Sequence, residues 1–289
     1  MIDETHRAEA IALYDRFTHE GMDRRDFFAR MTVLAGSAAA ATSLISAIAA
    51  SPAAAAIVPE DDKRLTTRTM NFSSPAGYRA YVAEPRTRSL KATVMVIHEN
   101  RGLTNHIKDV ARRLGLDGFR AVAPDFLSLS GGTPVDEDTG RNAIGKLDLA
   151  KVTSDAVAML DELSKSSRGG KVGAVGFCWG GGFVNRLAVA AGDKLDAGVA
   201  YYGPAPDPSE AGKVQAPLLF HHAGTDERVA RTLFPWVTAL RAAGKPVNFQ
   251  IYDGVHHAFN NDTSEERYNK AAADLAWQRT IRFFRKHLG

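Results

Sequence analysis

The chain has 289 residues, a formal net charge of +3, 45% hydrophobic and 24% charged residues; these proportions fit a folded globular protein and exclude a disordered one. A length of this order buries a sizeable core without disulfides or metals, and the single cysteine, Cys178, excludes internal disulfides and cysteine-rich metal sites. The mild positive charge lacks the clustering that nucleic acid requires: the longest basic grouping, Arg282-Phe283-Phe284-Arg285-Lys286-His287, reads as the solvated end of a final helix, where cations suit the C-terminal dipole.

Residues 1–56 read as a leader. Glu4 to His19 carries Ala8, Ile11, Ala12, Leu13 and Phe17, part of which has helical spacing and suggests a short amphipathic helix. Asp23-Arg24-Arg25-Asp26-Phe27-Phe28 follows, then a weakly apolar stretch from Met31 to Ala50. Ser51-Pro52-Ala53-Ala54-Ala55-Ala56 offers small residues for a signal peptidase. The order resembles a twin-arginine export signal, which makes the export machinery the expected partner and the periplasm or exterior the expected location, with the cytoplasm as the alternative. The stretch is mostly Ala with Thr and Ser, too weakly apolar for permanent spanning.

Residues 57–289 form the second unit. Thr69–Ser73 and Tyr78–Val82 read as early strands around the turn Pro75-Ala76-Gly77. Thr93–His98 is a buried strand by its continuous apolar run, Ile107–Leu116 a helix and Phe119–Ala123 a strand ended by Pro124-Asp125. Ser128 to Gly145 reads as a long loop, and Leu149–Leu163 as a helix. Lys171–Gly176 is a strand and Gly181–Ala191 a helix; strands Ala197–Tyr201 and Leu218–His222, helix Val229–Ala242, strand Val247–Tyr252 and a helix from about Arg267 to His287 complete the chain. This alternation predicts an α/β fold, a mostly parallel sheet with helices on both faces.

Within it, Gly176-Phe177-Cys178-Trp179-Gly180-Gly181 joins a strand to a helix. This is a nucleophile elbow with cysteine in the serine position. The turn strains the nucleophile's backbone and needs small neighbours, which Gly176 and Gly180 supply. The sulfur then sits at a helix N-terminus, whose partial positive charge favours a thiolate. Asp226 ends an apolar strand in the position of an acid that orients an imidazole; helix capping is its alternative role. His256 and His257 follow the next strand, and periodicity does not choose between them. The order nucleophile, acid, histidine is that of α/β-hydrolases. His98, His106, His221 and His222 fall on strands or at a helix start and read as structural. Glu99 follows the run Val94–Ile97 and sits near the elbow, where it suits proton handling or a salt bridge to Arg101.

Together His98-Glu99-Asn100-Arg101-Gly102-Leu103, Ala123-Pro124-Asp125, the cysteine elbow, Tyr201-Tyr202-Gly203, Gly224-Thr225-Asp226 and His257-Ala258-Phe259 resemble the dienelactone hydrolase (carboxymethylenebutenolidase) family, over roughly Thr69 to His287. The resemblance implies the α/β-hydrolase fold and hydrolysis of an ester or lactone through an acyl-enzyme, with no metal or organic cofactor. It selects His257 over His256 by the His-x-Phe pattern. It implies that Glu99 pairs with the resting Cys178, and that the backbone N–H groups of Asn100 and Trp179 form the oxyanion hole. Some members hold a substrate carboxylate with two arginines, and the corresponding regions here, Phe126-Leu127-Ser128-Leu129 and Asn260-Asn261-Asp262, contain none. Arg101 is the candidate substitute for substrate binding. Two other functions compete with catalysis: a ligand-binding protein on the same fold, and a thiol redox sensor at Cys178.

Overall fold

The computed structural model describes residues 4–49, 56–87, 92–166 and 170–289. Three helices come first: α1 (Glu4–His19), α2 (Arg24–Ala35) and α3 (Ala38–Ile48). The side chain of Asp23 caps α2 through the N–H groups of Arg25 and Asp26, and Ser37 caps α3 through that of Ala40; both occupy positions where such side chains satisfy orphan helix donors. The break at Gly36-Ser37 bends α2 and α3 by 106°. No single helix among the described residues is long and apolar enough to cross a membrane; this bent pair reaches the length and composition together. The three helices bury a small core of their own, including Ile11, Tyr14, Phe17, Phe27, Met31 and Leu44. The small-residue stretch at 51–55, read from sequence as a cleavage region, lies outside the described residues.

The main body then runs β1 (Leu65–Asn71), β2 (Arg79–Pro85), β3 (Thr93–Ile97), α4 (Asn105–Leu116), β4 (Arg120–Pro124), α5 (Glu137–Gly145), α6 (Leu149–Ser166), β5 (Val172–Phe177), α7 (Trp179–Ala190), β6 (Ala197–Tyr201), β7 (Leu218–Ala223), α8 (Glu227–Ala242), β8 (Val247–Tyr252) and α9 (Lys270–Leu288). The eight strands form one sheet in the order β1-β2-β4-β3-β5-β6-β7-β8. β1 and β2 pair antiparallel, as do β2 and β4, and every later pair is parallel. This is the expected α/β-hydrolase arrangement. The central strands β3, β5, β6 and β7 are buried at every residue, as strands covered on both faces must be.

One core layer packs α6, α7 and α8 against the sheet through Leu160, Leu163, Val184, Leu187, Leu233 and Trp236. The opposite layer packs α4 and α9 through Ile107, Val110, Leu114, Ile281, Phe283 and Phe284. The element boundaries differ from the sequence expectation by a few residues, with one substantive correction. Ser128 to Gly145 is not a single long loop: Glu137–Gly145 is a helix capped by Asp136, whose side chain accepts from Thr139 N. Gly140 masked it in the sequence, and the structure explains the glycine. A Cβ there would lie 2.7 Å from the carbonyl oxygen of Arg101.

Candidate active site

β5 delivers Cys178 at its C-terminal end, and α7 starts at the next residue. Cys178 has φ 55° and ψ −113°, in the left-handed half of backbone space that side-chain-bearing residues rarely adopt. Close packing forces this turn. A Cβ on Gly176 would stand 2.0 Å from the Gly180 carbonyl oxygen, and one on Gly180 would stand 2.3 Å from that of Ile97. The buried thiol therefore sits over the first turn of α7, whose leading N–H groups, that of Trp179 first, have no partner within the helix.

Two other strand ends converge on it. Asp226 follows β7 and His257 follows β8. Asp226 Oδ2 lies 2.6 Å from His257 Nδ1, while Oδ1 accepts from Val229 N at 3.0 Å. The two roles read for Asp226, orienting an imidazole and capping a helix, are thus filled together by its two oxygens. Burial disfavours charge on His257, but the neighbouring Cys178 sulfur and the Asp226 carboxylate outweigh it and hold its pKa up at about 10. Burial would raise the Asp226 carboxyl; the charge and hydrogen bond of His257 reverse this and bring it down to about 2. His257 Nε2 is buried and has no hydrogen-bond partner. His256 is further out and contacts the Thr225 hydroxyl at 3.1 Å.

The remaining expected residues fall around this centre. Glu99, Asn100, Arg101, Cys178 and His257 line one cavity. The expected pairing of Glu99 with the resting cysteine is corrected by the structure: Glu99 Oε2 accepts from Asn261 Nδ2 at 2.9 Å, and Cys178 Sγ faces His19 Nε2 at 3.8 Å and a ring nitrogen of His257 within 4.8 Å. The alternative salt bridge from Glu99 to Arg101 is also not formed. Arg101 instead pairs with Glu137 at 3.0 Å and donates to the Tyr14 hydroxyl. The four histidines read as structural are all buried: His98 binds the Glu99 carbonyl and Phe126 N and stacks on Trp179, His106 faces Asp262, His221 lies between Tyr252 and Thr280, and His222 packs on Phe234.

Three residues of the site were invisible to sequence reasoning. Asn261 holds Glu99 and could have been sought from its place in the loop after His257-Ala258-Phe259. Arg267, read as the start of the last helix, lies before α9 and lines the cavity with Arg101. His19 comes from the end of α1, and its ring centroid is 4.9 Å from that of His257 in an edge-on contact. Burial, then the charges of His257, Arg228, Arg267 and Arg101, push the His19 pKa well below its ordinary value, so the ring is neutral near pH 7.

Among the described residues, His19, Cys178 and His257 are also the one group of three metal-ligating side chains, with one donor atom from each within 4.8 Å of the others. The cavity they leave measures about 20 Å³, whereas a pocket of about 280 Å³ opens beside it past Glu99, Arg101 and Asn261.

Comparison with known proteins agrees with this architecture. Residues 78–288 match the model of the dienelactone hydrolase family. A protein of Saccharolobus solfataricus named "Putative carboxymethylenebutenolidase" is 31% identical over 251 residues, covering 74% of this chain and 96% of its own. An Escherichia coli K12 protein of the same name is 33% identical over 228 residues, covering 73% of this chain and 83% of its own. Among solved structures, a dienelactone-hydrolase-like promiscuous phosphotriesterase from metagenomic libraries superposes with a TM-score of 0.68 at 26% identity, over 78% of this chain and 100% of its own. The dienelactone hydrolase of Anabaena variabilis gives 0.63 at 20% identity, over 78% and 100%.

Proposed function

The chain belongs to the dienelactone hydrolase family, and from that premise we propose that it hydrolyses an ester or lactone through a thioester on Cys178. Sγ attacks the carbonyl carbon, and the electron pair of the C=O bond moves onto oxygen. The N–H groups of Asn100 and Trp179 receive that oxyanion at the helix start. The intermediate collapses, the C–O bond to the leaving group breaks, and imidazolium His257 gives its proton to the departing alkoxide. Neutral His257 then takes a proton from water as hydroxide adds to the thioester. Collapse expels the Cys178 thiolate, releases the carboxylic acid and leaves His257 charged again. Asp226 fixes the ring throughout.

The observation that carries this reading is the 2.6 Å contact of Asp226 with His257 beside a cysteine held at positive φ. Arg101 and Arg267, both lining the cavity, supply positive charge for an acyl group that bears a carboxylate. Glu99 lines the same cavity and is held in place by Asn261 Nδ2 at 2.9 Å. The test is intact-mass analysis during turnover of a chromogenic acyl ester, followed by lactones with and without a carboxylate. The expected result is an acyl adduct on Cys178 that forms and decays, and no turnover in Cys178→Ala. Unchanged turnover in Cys178→Ala would overturn the assignment.

We also propose that residues 1–56 direct export by the twin-arginine route to the periplasm or exterior. Asp23-Arg24-Arg25-Asp26-Phe27-Phe28 supports this, with the side chain of Arg25 exposed on α2. Fractionation of cells expressing the chain with Arg24→Lys and Arg25→Lys tests it: export should stop, and unaltered export would refute the route.

A further inference from the structure

We infer that α1 is a built-in plug: its terminal His19 occupies the approach to Cys178, and the nucleophile works only while α1 is withdrawn. This rests on the reading of Cys178 as the nucleophile.

An acyl carbon must come within about 3–3.5 Å of the attacking atom. His19 Nε2 stands 3.8 Å from Sγ, and its ring is edge-on to His257. The neighbouring residue closes the next position, because the Thr18 carbonyl accepts from Asn100 Nδ2 at 3.3 Å. The residual space of about 20 Å³ has room for about one water and not for an ester. Substrate and His19 therefore exclude one another at the sulfur.

The attachment of α1 is specific. Arg267 is the anchor: its guanidinium lies over the Tyr14 ring at 5.1 Å, its Nη1 is 3.7 Å from Asp15, and its Nε donates to the carbonyl of Ile48 at the end of α3. Arg141 lies over the Phe17 ring at 4.3 Å. The outer ion pairs, Arg7–Glu266, Arg24–Asp138 and Arg231–Glu20, join partly exposed side chains and contribute little each. The three helices carry their own core, so they can leave the body together without unpacking its sheet. The three helices all lie before the residues that match the family model, 78–288.

Cys178 is the sole cysteine of the chain, so iodoacetamide labelling read by intact mass reports access to one atom, without any need for hydrolysis. The test compares full-length protein with His19→Ala and with Tyr14→Ala/Phe17→Ala, each checked for folded circular dichroism. If the open state is one tenth or less of the population, opening it raises labelling by about tenfold or more. Labelling and ester turnover are expected to rise together in both variants. Faster labelling without turnover keeps the plug and removes the hydrolase reading. Unchanged labelling in both folded variants, or a fall in labelling and turnover together, overturns the plug, the latter because α1 would then be building the site. Hydrogen exchange on the unmodified chain provides an independent measurement. Amides of α1 should exchange by an opening that leaves β5 and α7 protected; exchange of α1 only with global unfolding overturns the proposal.

Discussion

Asp226 splits its carboxylate between two tasks, with Oδ2 on His257 Nδ1 at 2.6 Å and Oδ1 on the backbone of Val229 at 3.0 Å. The same side chain thus orients the imidazole and starts α8. Substitution can separate the two. Asn keeps a capping oxygen but removes the charge opposite the ring, so Asp226→Asn should lose about ten-thousandfold in kcat. Its stability should fall less than that of Asp226→Ala, which also removes a cap contributing about 1 kcal/mol. Urea unfolding of both variants beside steady-state kinetics checks the split; equal stability losses would mean the cap contributes nothing.

Stability should also depend on pH through this pair. The Asp226 carboxyl is lowered from 3.8 to about 2 when folded, so its contribution is full above about pH 4 and is lost as pH falls through 2. The His257 imidazole is raised from 6.5 to about 10, so its contribution is full below about pH 6.5 and declines as pH rises toward 10. Together they place the maximum contribution between about pH 4 and 6.5. Denaturant midpoints across pH 3–10 should show this plateau, and it should flatten in Asp226→Asn/His257→Gln.

The elbow has no room for a methyl group. In Gly180→Ala the new Cβ would meet the carbonyl oxygens of Ile97 and His98 at 2.3 and 2.5 Å. These are backbone atoms of β3 and its end, so relief requires moving the strand that leads to Glu99 and Asn100. Destabilisation of about 1–3 kcal/mol is expected, as for overpacked cores, with a large loss of turnover. Calorimetry with kinetics tests this; normal turnover would mean the turn is looser than its contacts indicate.

Arg267 joins the N-terminal helices to the body by three kinds of contact. Arg267→Ala should therefore expose residues 4–48 to limited proteolysis while the body unfolds at nearly its original temperature. Loss of both together would show that the helices and the body form one cooperative unit.

Much of this was legible from sequence because it is local. Continuous apolar runs marked β3, β5 and β7, and the Gly-x-Cys-x-Gly turn marked the strained cysteine. Asp226 was readable because only Gly224 and Thr225 separate it from the apolar run of β7, whereas the strand before His256 and His257 marked only the pair, and the His-x-Phe pattern chose His257. Glu99 was placed correctly and partnered wrongly: which group lies opposite a side chain is a tertiary fact, and Asn261 reaches it from 162 positions away. The helix over 137–145 was hidden by a glycine that serves packing against Arg101. The spacing of Ile11, Leu13 and Phe17 suggested a helix, but nothing in a repeating apolar pattern says what that helix will cover. His19 was consequently beyond reach, as was Arg267, whose importance comes only from the residues that fold onto it.

The contact between His19 and Cys178 spans 159 positions of sequence, with the histidine first. Chains emerge from the ribosome N-terminus first. The three leading helices are therefore synthesised well before the strand that ends in the thiol, and long before His257, the residue we propose activates it. At no stage of its own synthesis need this protein present an assembled nucleophile with nothing in front of it.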